Sequence, residues 1–128
     1  MHVGQLLARA DLGLAAVEVI TGAPGLADVS VRPAPRWLCR LWRGQVVAMT
    51  VMKRIYLAPE LVDGDPARLG RLLVHELVHV RQWADAGAFR FLRRYAVDYL
   101  TGRVRGRSHT ESYHGIRYEV EARRIAGG

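Results

Sequence analysis

The 128-residue chain is long enough for one domain with a hydrophobic core that needs no disulfide or metal staples. Half of its residues are apolar, as in globular proteins, and no run of about 20 apolar residues indicates a membrane span. The single cysteine, Cys39, excludes an internal disulfide and a cysteine-rich zinc site, and it favours a reducing compartment. We therefore expect one domain over residues 1–128, located in the cytoplasm.

The formal net charge of +7 comes almost entirely from arginine, since Lys53 is the only lysine. Such a charge is typical of proteins that bind phosphates or carboxylates. Here the basic residues are spread over every segment, and they do not alternate with aromatic residues as they would on a nucleic-acid platform. A nucleic-acid partner is therefore open but not favoured, and arginines exposed to solvent are the simpler interpretation.

The N-terminal half is predicted to contain a helix followed by a small sheet. Apolar residues at helical spacing predict a helix over residues 3–20, and the Gly and Pro residues of 21–25 end it. The strand candidates that follow are residues 29–32, 37–42, 46–51 and 54–57. The second and third of these are joined by three residues that include Gly44, so they predict a hairpin in a mostly antiparallel sheet.

The central helix has the clearest predicted boundaries. Asp65 is a favourable N-cap, and Pro66 stands at the first helical position, where its missing N–H costs nothing. The helix is expected to run to about Ala86, because Gly87 is a natural stop. The apolar residues that predict its burial are Leu69, Leu72, Leu73, Leu77, Val80 and Ala84.

Further helices are predicted in the C-terminal part. Residues 88–100 predict a second helix, residues 101–108 a Gly/Arg-rich loop, residues 111–113 a helical turn and residues 118–126 a final helix. The apolar side of the second helix is expected to consist of Phe89, Leu92, Tyr95, Ala96, Tyr99 and Leu100. The predicted fold class is α+β, with a small mostly antiparallel sheet packed on the central helix and further helices.

The central helix carries the sequence His75-Glu76-Leu77-Val78-His79. Residues four apart lie on the same face of a helix, so the two imidazoles can bind one ion without backbone distortion. Glu76 lies at the edge of that face, where its carboxylate can reach a metal-bound water. This HExxH arrangement predicts two zinc ligands and a general base. Two hydrogen-bonded core histidines are the alternative, although polar groups in an apolar helix are costly unless they are paired.

A zinc site with an open catalytic position usually takes three protein ligands. Residues 82–85 contain no His, so the extended motif of the metzincins is absent. Glu119 or Glu121 in the C-terminal segment is the best remaining donor. The other candidates are His109, His114, Glu111 and Asp98. Taken alone, the two glutamates fit an ordinary solvated helix equally well.

The HELVH helix, followed by a later helix with Glu119-Val120-Glu121-Ala122, resembles the gluzincin group of zinc metallopeptidases, particularly the small minigluzincins. The resemblance covers about residues 46–126 and implies a zincin-like fold. It implies that His75, His79 and Glu119 are the zinc ligands, with Glu121 as the substitute for Glu119.

One position departs from the gluzincin pattern. Arg123 stands where those peptidases have an Asp that supports a metal-bound His from behind. That support must then come from another group, and Asp98 is the candidate.

The resemblance also implies a mechanism. Zinc lowers the pKa of its bound water and polarises a peptide carbonyl, while Glu76 takes the proton and passes it to the leaving amine. Tyr113 and His114 are the candidates for stabilising the oxyanion, although either could be a packing residue. In similar peptidases an edge strand, here residues 46–51, aligns the peptide by strand addition.

The predicted function is therefore that of a zinc-dependent metallopeptidase acting on a peptide or protein substrate. Two alternatives remain. One is a catalytically silent zinc-binding module that acts in protein or nucleic-acid interaction. The other is a basic nucleic-acid-associated module in which zinc only supports the fold.

Overall fold

A long helix forms the centre of the structure, and a small sheet and shorter helices pack around it. The computed structural model describes residues 2–23, 25–42 and 47–127, which form an α+β fold as predicted. The described helices are α1 (Val3–Arg9), α2 (Leu14–Thr21), α3 (Arg36–Trp42), α4 (Pro66–Ala86), α5 (Ala88–Val104), α6 (His109–His114) and α7 (Arg117–Ala126). The described strands are β1 (Ser30–Pro33), β2 (Ala48–Val51) and β3 (Arg54–Leu57). None of the described helices is long and apolar enough to cross a membrane.

The central helix α4 has the predicted boundaries. The Asp65 carboxylate accepts a hydrogen bond from the backbone N–H of Ala67 at 3.2 Å, and the helix ends at Gly87 with a positive φ of 79°. Its apolar face enters a core that it shares with α1, α2 and the sheet. The core residues that α4 contributes are Leu69, Leu73, Val74, Leu77 and Val80. Because α4 is buried along its middle, the polar side chains it carries there are held away from bulk water.

The sheet is mixed, so the predicted mostly antiparallel arrangement is wrong. Its strand order is β1-β3-β2, with β1 parallel and β2 antiparallel to β3. The prediction failed because the chain crosses over between β1 and β2, which puts β3 beside β1 in the same direction. Among the described strands β2 pairs only with β3, so it is an edge strand, and it lies against α4.

Residues 37–42, predicted as a strand, belong to helix α3 instead. The carbonyl of Pro35 accepts hydrogen bonds from the N–H groups of Leu38 and Cys39 and so starts a helical turn. Leu38 and Trp42 are four residues apart and are both buried in a small second cluster with Ala34. The predicted hairpin is therefore wrong, and its connecting residues 43–45 lie outside the described residues, as does position 46.

The helix predicted over residues 3–20 is two helices. Asp11 has a positive φ of 59°, a left-handed conformation that Asp tolerates better than most residues. The N–H of Leu12 turns back to the carbonyl of Leu7 at 2.9 Å, so α1 ends before α2 starts. Both short helices can then pack on α4 at different angles.

Helix α5 is longer than predicted and buries a different face. Phe89, Leu92 and Leu100 are more than half exposed, whereas Phe91 is buried. The Phe91 ring stacks on Trp83 of α4 at 4.3 Å and on Tyr118 of α7 at 4.7 Å. These contacts between three helices decide which face of α5 turns inward.

Helix α6 packs closely against the end of α5. A Cβ atom placed on Gly102 would lie only 2.9 Å from the Ser112 hydroxyl and 3.1 Å from its Cα atom. Ser108 begins α6 with a capping box, in which its hydroxyl accepts from Glu111 N–H and the Glu111 carboxylate accepts from its N–H. The predicted loop is therefore shortened to residues 105–108, and α6 is held against α5.

Candidate metal centre

The two histidines of α4 meet a carboxylate from α7. The rings of His75 and His79 lie one turn apart, with their centroids 4.9 Å from each other. Nε2 of His75 lies 3.0 Å from Oε2 of Glu119, and Nε2 of His79 lies 3.0 Å from Oε1 of the same carboxylate. One ligand atom from each of the three residues falls within 4.8 Å of the others. These three residues, which we call the metal group, are therefore in range to hold a metal ion.

The chemistry of this donor set fits a transition metal. Two imidazole nitrogens and one carboxylate form the His₂Glu combination that catalytic zinc sites use, leaving a fourth position open. His79 and Glu119 are almost fully buried, and His75 retains 18% side-chain exposure. The group is thus shielded from bulk water but reachable from one side.

The buried carboxylate of Glu119 keeps its negative charge. Burial alone would raise its pKa, but hydrogen bonds from His75 and His79 outweigh burial and hold the pKa well below the usual range. Burial likewise disfavours protonated His79, yet Glu119 raises the pKa of this imidazole overall. Tyr95 donates its hydroxyl to Oε1 of Glu119 at 3.1 Å. The carboxylate is therefore oriented from two sides.

Glu76 is buried beside the histidines and is held by the sheet. Its Oε2 atom accepts a hydrogen bond of 2.6 Å from the hydroxyl of Thr50, a residue of the edge strand β2. Burial raises the pKa of Glu76, and the charge of His79 and the hydrogen bond from Thr50 offset this only in part. The structure thus places Glu76 next to the metal group without making it a member of that group.

A glutamine that the sequence analysis had not singled out supports His79. Oε1 of Gln82 lies 2.7 Å from Nδ1 of His79. The amide nitrogen of Gln82 donates to the carbonyl of Tyr118 at 3.0 Å and to the carboxylate of Glu121 at 2.8 Å. Both of these neighbours are acceptors, so the amide can face them only with its N–H groups. Its oxygen must then accept the Nδ1 proton of His79. When Nε2 gives up the proton it shares with Glu119, its lone pair can bind a metal.

Asp98 does not support a histidine, so its assignment to that role is wrong. Its carboxylate receives two hydrogen bonds of 3.0 Å from the guanidinium of Arg117 and fixes the start of α7. The signal for Gln82 was present in the sequence, since residues three apart share a helix face.

Glu121 points away from the metal group. Its carboxylate accepts from the guanidinium of Arg81 and from the amide of Gln82, and both partners lie on α4. Arg123, the departure from the gluzincin pattern, donates to Nδ1 of His114 at 2.8 Å. The glutamate that reaches the histidines is therefore Glu119, while Glu121 and Arg123 join α7 to α4 and α6.

A cleft of roughly 450 Å³ opens onto the site. It is bounded by α4, the N-terminal end of β2, α6 and the end of α7, and it includes His75, Glu76, Tyr113 and His114. Burial, followed by the charges of Glu119 and Glu76, raises the pKa of Tyr113. Both oxyanion candidates therefore lie in the cleft, and Tyr113 is close enough to Glu119 for the charge of that carboxylate to affect it.

The other candidate ligands are engaged elsewhere. Nδ1 of His109 lies 2.7 Å from the hydroxyl of Tyr99, at the outer part of the cleft. Glu111 caps α6 through Ser108. Among the described residues, the group that can hold a metal does not include either of them.

A family model described as the eCIS core domain matches residues 9–87. This match covers more than half of the chain. The chain belongs to the eCIS core domain family. The matched part includes His75, Glu76 and His79 on α4, whereas Glu119 lies beyond it. A search of curated proteins found no match to this eCIS core domain protein, and a search of solved structures found none either.

The hydrogen bonds of Gln82 predict that a carboxylate at this position weakens zinc binding. In Gln82→Glu the second oxygen would face the Tyr118 carbonyl and the Glu121 carboxylate, both acceptors. We expect zinc affinity to fall about tenfold or more, measured by competition with a chromophoric chelator.

The double variant Gln82→Glu/Glu121→Gln is the matched control. The amide introduced at position 121 can donate to the carboxylate introduced at position 82 while its oxygen still accepts from Arg81, so part of the lost affinity should return. A single variant that binds zinc as tightly as the parent protein would show that the amide of Gln82 is not required.

Proposed function

We propose that this protein is a zinc-dependent peptidase of the gluzincin type. The observation that carries the proposal is the convergence of His75, His79 and Glu119 at a cleft, with the buried carboxylate of Glu76 beside them. A third ligand from a helix downstream of the HExxH helix supports the gluzincin assignment. The free thiol of Cys39 agrees with the cytoplasmic location that we propose.

The residues would divide the chemistry as follows. A bound zinc ion would supply Lewis acidity, which polarises a carbonyl and acidifies a coordinated water. Glu76 would accept the proton of the attacking water and deliver it to the leaving amine. Thr50 directs its hydroxyl at Oε2 of Glu76 and so limits the orientations of this carboxylate. This hydrogen bond occupies one lone pair of Oε2, and the remaining lone pairs of the carboxylate can accept the proton.

Tyr113 is the better of the two candidates for stabilising the oxyanion. A phenol of ordinary pKa, about 10, is protonated at neutral pH and can donate to a developing negative charge. Tyr113 lines the cleft and lies at the metal group, whereas His114 is tied to Arg123 at Nδ1 and can donate only through Nε2. We therefore assign the main role to Tyr113 and an auxiliary one to His114.

The peptide would lie along the edge strand β2. Ala48 of β2 and the preceding Val47 line the cleft, and β3 pairs with only one side of β2. An extended peptide can add its backbone hydrogen bonds to such an edge, which presents the scissile bond to the neighbouring helix.

The metal content tests the ligand set. We expect about one zinc per chain, with at least a hundredfold loss of affinity in His75→Ala, His79→Ala and Glu119→Ala, because each removes a coordinating atom. Glu121→Ala is the matched control, since Glu121 is connected to His79 through Gln82 and does not contact the metal group itself, so its loss should cost about tenfold or less. Elemental analysis and chelator competition measure both. A greater loss in Glu121→Ala than in Glu119→Ala would contradict the assignment.

The role of Glu76 is tested by Glu76→Gln. This variant keeps the shape of the side chain and should keep zinc, while kcat for peptide cleavage falls about a thousandfold because the general base is lost. Cleavage of a quenched fluorescent peptide library measures the effect. Unchanged turnover would remove Glu76 as the base. A parent protein that binds zinc but cleaves no peptide would favour the catalytically silent module.

The role of Tyr113 is tested by Tyr113→Phe. Loss of the hydroxyl should lower kcat about a hundredfold with little change in KM, since the lost hydrogen bond forms mainly in the transition state. His114→Ala is the comparison and should have the smaller effect. A rise in KM at constant kcat would mean that Tyr113 only packs against the substrate.

A further inference from the structure

The cleft carries positive charge at one end. Arg68 and Arg71 line it, and both side chains are exposed. Neither arginine has an acidic partner in the part of the chain that the structure describes, unlike Arg81 and Arg117, which are ion-paired. The acidic residue among those lining the cleft is Glu76, which is buried and bound by Thr50.

The positions of the two arginines relate them to the metal group. Arg71 precedes His75 by four residues on α4 and Arg68 precedes it by seven, which corresponds to about 6 and 10 Å along the helix axis. An extended peptide advances about 3.3 Å per residue. A peptide running along α4 would therefore bring residues about two to three positions from the scissile bond next to these guanidinium groups.

We propose that the cleft selects peptides with Asp or Glu about two to three residues to one side of the scissile bond, through Arg68 and Arg71. The proposal rests on the proposed peptidase function for the position of the scissile bond. Guanidinium groups bind carboxylates through paired hydrogen bonds, and no carboxylate of the described residues is ion-paired with these two. A lysine at the same substrate position would meet like charge, so the cleft discriminates by repulsion as well as by attraction.

The test measures peptide binding in the zinc-loaded Glu76→Gln variant, so that cleavage does not interfere. Two fluorescein-labelled decapeptides are compared by anisotropy, identical except for Glu or Lys at positions two and three residues from the centre on both sides. We expect the acidic peptide to bind about tenfold tighter, as two partly exposed ion pairs allow. Added salt should reduce the difference.

Charge reversal identifies the residues. Arg68→Glu/Arg71→Glu should abolish or invert the preference, and Arg68→Gln/Arg71→Gln should weaken it. Both side chains are exposed, and position 68 lies in the first turn of α4, where an acidic side chain suits the helix dipole, so folding should be retained. The matched control is Arg36→Glu/Arg40→Glu on α3, which changes the net charge equally outside the cleft and should leave the preference intact.

Three results would overturn the charge preference: equal binding of both peptides, an equal loss in the α3 control, or equally strong competition by an oligonucleotide. The outcome is separable from that of the proposed function. If the parent protein cleaves both peptides equally, the preference is wrong and the peptidase function stands. If the acidic peptide binds selectively but is never cleaved, the peptidase function is wrong and the preference stands.

Discussion

The site depends on one contact between two helices, the approach of the Glu119 carboxylate on α7 to both imidazoles on α4. Each of the three groups would be costly to bury alone, because a buried polar group must find a partner. Together they satisfy one another and converge on a point where a cation can be held. The packing of α7 against α4 therefore completes the candidate metal centre. A change that loosens this pair of helices should disturb both the fold and metal binding.

Further hydrogen bonds hold the side chains of the metal group in place, and their partners come from different parts of the fold. Tyr95 on α5 orients Glu119, and Gln82 orients His79. Gln82 is itself held by the Tyr118 carbonyl and by Glu121, both on α7. Helix α7, which carries Glu119, thus also orients the imidazole of His79 through Gln82. The group at Nδ1 of His79 is therefore a neutral amide, and Arg123 contacts His114 at the end of α6.

The surroundings of the metal group are asymmetric. On one side Thr50 of the edge strand holds Glu76 in a buried position, and on the other the cleft opens past Tyr113. Arg68 and Arg71 add positive charge along the open side. Glu76, proposed for chemistry, is therefore buried, whereas Arg68 and Arg71, proposed for substrate selection, are exposed.

The sequence by itself determined the features that follow from the local period of a helix. Asp65 and Gly87 set the ends of α4, and the spacing of His75 and His79 put both rings on one face, because four residues make about one turn. Only the tertiary structure decided the contacts between elements. Glu119 and Glu121 are separated by about 200° around α7, so the packing of that helix chose between them. Packing between elements also decided which face of α5 is buried and that β1 pairs in parallel with β3. The spacing of apolar residues indicates which side chains favour burial, but it does not indicate which element will cover them.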